Sequence, residues 1–260
     1  MLEAANITFF AAKRALVSDF SATFRAGQLH LIIGPNGAGK STIIKVLARL
    51  LRPERGSVLY EGSDVSGEKE SDLARRRAVL SQAVEVAFPL TVREVVMMGR
   101  YPHFGGKPGV GDEQIVDEVM AFFDVVELSD RDYQTLSGGE RQRVNFARVL
   151  AQVWRPNPDS RRYLFLDEPL TFLDIRHQID FMKKVRRFTS APDVVTVGVV
   201  HDLNIAAQFA DQLILLHEGR VVAAGPGHDV LSEDNISGVF GVHPILLPDP
   251  SRGRNLILFE

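Results

Sequence analysis

The run Gly34-Pro-Asn-Gly-Ala-Gly-Lys-Ser41 constrains this chain more than any other stretch. It fits G-x-x-x-x-G-K-[ST] and lies between an apolar run, LHLII (29–33), and a segment with helical spacing from Lys40 to Leu51. A strand that feeds a glycine loop and then a helix is the opening unit of an α/β fold. Gly34, Gly37 and Gly39 let the backbone curl so that successive N–H groups point inward at phosphate oxygens. The helix adds its positive N-terminal end. Lys40 is placed to reach the β- and γ-phosphates, and the Ser41 hydroxyl to ligate Mg²⁺. Pro35, Asn36, Ala38 and Thr42 complete the loop and its first helical turn. The inference is a nucleoside triphosphate site.

Further along, Arg162-Tyr-Leu-Phe-Leu-Asp167-Glu168-Pro169 reads as a buried strand ending in two acids. Such a strand delivers its C-terminal residues to the crevice where α/β proteins bind ligands. Asp167 can hold Mg²⁺ through water, and Glu168, pointing elsewhere, can orient or deprotonate an attacking water. Pro169 ends the strand. VVTVGVV (194–200) suits a second buried parallel strand, with a helix over 175–188 between the two. The alternation of Leu16, Phe20, Ala22 and Phe24 predicts antiparallel strands near the start. QLILLHEGRVVAAG predicts a hairpin turning at Glu218-Gly219, and LILF near the end a packed strand.

From about 85 to 158 the pattern becomes helical, in TVREVVMMG, DEQIVDEVMAFFDVV and GGERQRVNFARVLAQVW. A Gly/Pro-rich loop (99–111) separates the first two. The expected division is an α/β core with an antiparallel β subdomain (1–84 and 159–260) and an inserted helical subdomain (85–158). The short basic run Arg75–Arg77 is expected on the solvated face of a helix.

A net charge of −3 gives no general attraction to nucleic acid or anionic lipid. The chain has no cysteine, which excludes disulfides and thiolate metal sites. Its N-terminus lacks the pattern of a signal peptide, and no apolar run is long enough to span a bilayer. If the protein works in transport, another chain supplies the pore.

A phosphate loop and an acidic strand end leave kinases, GTPases and helicases open. Leu136-Ser137-Gly138-Gly139-Glu140, followed by Arg-Gln-Arg, resembles the signature of ABC ATPases and lies between the two earlier motifs, as in that family. Ser137 and the two glycines offer a hydroxyl and bare backbone donors at a helix N-terminus, a second anion site. The resemblance implies that this site faces the γ-phosphate held by the other copy of a head-to-tail homodimer. It covers Phe9 to about Leu231 and extends residue by residue. Phe9 matches the aromatic that stacks on adenine, where tyrosine is usual. Gln82, in AVLSQ, matches the glutamine that contacts Mg²⁺ and the attacking water. Leu173-Asp174 closes the loop that crosses the dimer interface, preceded here by Leu170-Thr171-Phe172 in place of the common Thr-Ser-Ala. His201, in VVHDLN, matches the switch histidine near the γ-phosphate.

Ala87–His103 carries T-V-x-E-x-V-x-x-G-R-x-P, similar to ATPases of the iron-chelate, heme and cobalamin importers. Leu150–Arg162, AFP (87–89) and the Arg131-Asp-Tyr133 lead-in resemble the heme (hemin) import group. The resemblance implies an ATP- and Mg²⁺-dependent ATPase at the cytoplasmic face of a bacterial inner membrane, peripheral through the permease. Its partners are a second copy, two polytopic permease subunits on the helical lobe and, indirectly, a periplasmic heme-binding protein; nucleic acid is not among them. Ferric siderophore or cobalamin are the next candidate cargoes. The rival from another class is a soluble ABC ATPase acting on nucleic acid or chromosomes, against which stands the lack of extended heptads. His103, His177, His217, His228 and His243 are scattered, so none is expected to bind heme.

Overall fold

The computed structural model describes residues 1–12, 14–81, 88–156, 160–171, 173–249 and 254–259. In chain order it runs β1 (Leu2–Ala11), β2 (Arg14–Phe24), β3 (Leu29–Ile33), α1 (Lys40–Leu47), β4 (Arg55–Tyr60), β5 (Ser63–Asp64), α2 (Glu70–Ala74) and β6 (Arg77–Leu80). Three helices follow, α3 (Val92–Met97), α4 (Val110–Phe122) and α5 (Gly138–Gln152). Then come β7 (Arg162–Asp167), α6 (Ile175–Thr189), β8 (Val194–Val199), α7 (Leu203–Phe209), β9 (Gln212–His217) and β10 (Arg220–Gly225). Two short helices, α8 (Gly227–Val230) and α9 (Glu233–Phe240), lead to a hairpin of β11 (Pro244–Asp249) and β12 (Arg254–Phe259).

The central sheet has the order β10-β9-β3-β8-β7-β6, parallel from β9 to β6. Every residue of β3, β7 and β8 is buried, as their unbroken apolar runs require when both sheet faces are covered. The side chains divide by the period of two. Leu29, Leu31 and Ile33 face a cluster shared with α3 to α7, whereas Ile32, Tyr163 and Phe165 face a second cluster with α1 and the antiparallel sheet β2-β1-β4-β5. The sheet thus separates two apolar layers, and its C-terminal edge is where the loops gather.

Several expectations change in detail. In β2 the inward parity is not the one read from Leu16. Val17 is fully buried and Leu16 half-buried, because Asp19 takes a positive φ of 55° and the pairing with β1 slips between Ile7 and Phe9. Of the basic run only Arg75, at the end of α2, is exposed. Arg77 is buried in β6, bonded to the Ala48 carbonyl and to Glu70. Arg76 pairs with Glu68 and lies over the Tyr60 and Tyr163 rings. The loop expected at 99–111 begins as a 3₁₀ turn, Met98–His103, in which Arg100 is buried and bonded to Asp112 and the Ala151 carbonyl. The turn at Glu218-Gly219 is as expected. Its φ values of 46° and 77° are the paired left-handed conformations of a two-residue hairpin loop.

Candidate nucleotide site

The Gly34–Ser41 loop leaves the end of β3 and closes on α1. Gly39, at φ 98°, stands directly before the first helical residue, and a Cβ there would lie 2.4 Å from the Leu16 carbonyl oxygen. At Gly34 it would lie 2.1 Å from that of Leu216. Glycine is required at both places by close backbone approach. The N-terminus of α1 has no side-chain cap, so its first-turn N–H groups are left for a ligand. Lys40 is 4% exposed, and its Nζ donates to the Gly34 and Pro35 carbonyls, each at 2.8 Å. Burial pushes this ammonium below the ordinary lysine range, while Glu168 and Asp167 pull it back up.

The sheet order sets the ends of β3, β8 and β7 side by side, which brings together residues far apart in the chain. The Ser41 hydroxyl donates to Asp167 Oδ1 at 2.7 Å. Glu168 follows at φ 53°, a left-handed conformation that a non-glycine residue adopts at a cost of about 1–3 kcal/mol. His201, just beyond β8, brings Nε2 within 2.9 Å of Glu168 Oε1. A cleft of about 220 Å³ opens beside this pair, lined also by Leu170, Thr171, Gln178 and Asp202.

The other motif residues lie elsewhere. Ser137 caps α5 in a reciprocal box. Its Oγ accepts from Glu140 N at 3.4 Å, and Glu140 Oε2 accepts from Ser137 N and Oγ at 2.8 and 2.7 Å. These bonds hold the Glu140 carboxyl below its usual range. Ser137 and Gly138 are exposed, and a Cβ on either glycine would meet nothing. Among the described residues no hydrogen bond or ion pair joins Ser137–Glu140 to the Gly34–Ser41 loop. Asp174, also exposed, caps α6 by accepting from His177 N at 2.9 Å. Phe9 is half-buried against the second core cluster, while its neighbour Phe10 is exposed. Gln82 and Phe172 fall outside the described residues.

Two glutamines that the sequence reading passed over hold the loop after Glu168. Gln142 Nε2, on α5, donates to the Pro169 carbonyl at 3.0 Å, and Gln178 Nε2, on α6, donates to the Leu173 carbonyl at 3.0 Å. A glutamine on a helix carries no local signal for such a role, because its partner is remote in sequence.

A family model described as ABC transporter matches residues 17–171. The chain is 44% identical over 258 residues to the hemin import ATP-binding protein HmuV of Gloeobacter violaceus, covering 99% of this chain and 94% of that one. It is 38% identical over 260 residues to the protein of that name from Escherichia coli O157:H7, covering the whole of both. Among solved structures it resembles an inward-facing transporter assigned to the metal-chelate type, with a TM-score of 0.82 at 21% identity over 100% of this chain and 96% of that one. That last likeness is one of fold.

Proposed function

The chain belongs to the ABC transporter family, and from that premise we propose that it is the ATP-hydrolysing subunit of a heme importer. The similarity to hemin import ATP-binding proteins over nearly the whole chain carries the choice of cargo. The joined ends of β3, β7 and β8 carry the choice of reaction. The loop N–H groups and the Lys40 ammonium hold the phosphates of ATP and offset their charge. Glu168 takes a proton from the attacking water, and the His201 imidazole orients that carboxylate and can turn its N–H to the γ-phosphate.

Mg²⁺ suits the donor set, since the Ser41 hydroxyl and the Asp167 carboxylate are hard oxygen ligands already 2.7 Å apart. When bound it neutralises charge on the phosphate oxygens. Gln82 is assigned to the same ion and water on the family pattern, and Phe9 to the adenine ring; the exposed Phe10 is the competing ring at that position.

In this reading Ser137–Gly139 of each copy closes over the nucleotide in Gly34–Ser41 of the other, with Glu140 bracing the Ser137 cap and Asp174 at the crossing loop. Residues 85–158 act as an inserted helical subdomain that receives the permease. Among the described residues no helix is long and apolar enough to cross a membrane, so membrane attachment runs through that permease, at the cytoplasmic face of the inner membrane. A periplasmic heme-binding protein delivers the cargo. ATP bridges the two copies, and loss of the γ-phosphate releases them.

Reconstitution with a polytopic permease tests the proposal. Heme delivered by a binding protein should stimulate ATP turnover several-fold, and Glu168→Gln should keep ATP binding while lowering turnover at least a hundredfold. Stimulation by a ferric siderophore or cobalamin and not by heme would overturn the cargo. Near-normal hydrolysis by Glu168→Gln would overturn the assigned base.

A further inference from the structure

The turn that carries Glu168 is unusual in what it lacks. Glu168 sits at a positive φ, and strain of that kind persists only where the surroundings fix it. The next residue, Pro169, has no N–H through which the turn could be pinned. Its carbonyl is therefore the nearest main-chain anchor on that side, and Gln142 takes it at 3.0 Å. On the other side Thr171 Oγ1 donates to the Glu168 carbonyl at 3.1 Å, and Gln178 holds the Leu173 carbonyl from α6.

Gln142 belongs to α5, the helix whose N-terminus is Ser137-Gly138-Gly139. A helix of this length moves as a rigid body, so a shift at its N-terminus is felt in its second turn. The hydrogen bond to Pro169 thus ties the anion site at the start of α5 to the backbone of the general base in the same chain. In the dimer these two features serve different nucleotides.

We propose that Gln142 is a positioning residue for ATP hydrolysis: its amide fixes the Glu168–Pro169 turn and makes each catalytic carboxylate answer to the phosphate bound at its own chain's Ser137–Gly139, which belongs to the partner's ATP. This rests on the function proposed above. It supplies a direct source of cooperativity between the two sites, since binding at one sets the geometry of the other.

The test uses the complex with the permease and two variants, Gln142→Leu and the isosteric Gln142→Glu, whose carboxylate cannot donate to a carbonyl. Loss of one neutral hydrogen bond should lower kcat by about two- to tenfold. KM for ATP should stay within about twofold, and the Hill coefficient should fall from near 2 towards about 1. The proposal is overturned if either variant keeps wild-type kcat and cooperativity, or if kcat falls at an unchanged Hill coefficient. It is overturned equally if the whole loss lies in KM or in the melting temperature, or if the wild-type complex itself hydrolyses ATP without cooperativity. Glu168→Gln run in parallel separates the two levels, because its retention of turnover would remove the base itself and not only its tether.

Discussion

His30 is a buried imidazole in β3, and it makes the stability of the fold depend on pH. Its Nε2 accepts from the Arg25 backbone N–H at 2.9 Å, with the ring edge-on to Phe24. An Nε2 that accepts this bond is unprotonated, whereas the Arg25 carbonyl, 3.3 Å from the same nitrogen, is the partner of a protonated one, and burial decides for the neutral ring. Burial lowers its pKa to about 4, with smaller influences from Arg25 and Asp211. The unfolded chain takes up this proton near pH 6.5, the native chain only near 4. Stability from this site is therefore full above pH 6.5 and falls as the pH drops towards 4, by about 3 kcal/mol at most. Urea unfolding of the wild type and of His30→Gln across this range should give curves that converge as the pH falls. A constant gap between them would remove His30 as the cause. Arg77 teaches the same lesson from the side of sequence. Three consecutive arginines look solvated, yet Glu70, seven residues back, and the Ala48 carbonyl, remote in the chain, give one of them a buried place.

At the scale of elements, what could be read in advance was whatever is local. The phosphate loop needs glycines at fixed offsets between a strand and a helix, and β3, Gly34–Ser41 and α1 answer to that pattern directly. The acidic end of β7 and the hairpin at Glu218-Gly219 are equally short-range. In β2, Phe20, Ala22 and Phe24 turn inward as their alternation predicts, but the parity before Asp19 was not legible, because a slip in register with β1 reverses inward and outward without leaving a mark in composition. Nor was the role of the C-terminal hairpin. Ile257 of β12 is buried, and the Asn204 amide in α7 donates to its carbonyl and accepts from its N–H, each at 2.9 Å. The glycine requirement itself is open to measurement. Gly39→Ala meets both a left-handed φ and the Leu16 carbonyl, so it should cost about 1–3 kcal/mol and lower ATP affinity more than tenfold. Gly27→Ala, equally left-handed at φ 76° but with open space around it, should cost about 1 kcal/mol and leave ATP binding intact. Equal effects of the two on ATP binding would contradict the close-approach explanation.

On the scale of the whole molecule, the central sheet gathers Lys40, Ser41, Asp167, Glu168 and His201 at neighbouring strand ends. Ser137–Glu140 stands apart as the exposed cap of α5. The order of these motifs was legible, and so was the grouping of Ser41 with Asp167 and of Glu168 with His201; the strand order that brings them together was not, because it is set by pairing between distant segments. A single chain thus presents two half-sites with no described bond between them, and the central claim is that two copies complete each other. Mixed complexes carrying Lys40→Ala on one chain and Ser137→Arg on the other measure this directly. Each variant alone should hydrolyse ATP at background. Random mixing should restore between about a fortieth and about a quarter of wild-type turnover, since half the pairs are mixed, each has one whole site, and the base of that site lies on the Ser137→Arg chain, whose own anion site is lost. Turnover that stays at background in the mixture, or a Ser137→Arg chain that is active by itself, would contradict the shared site.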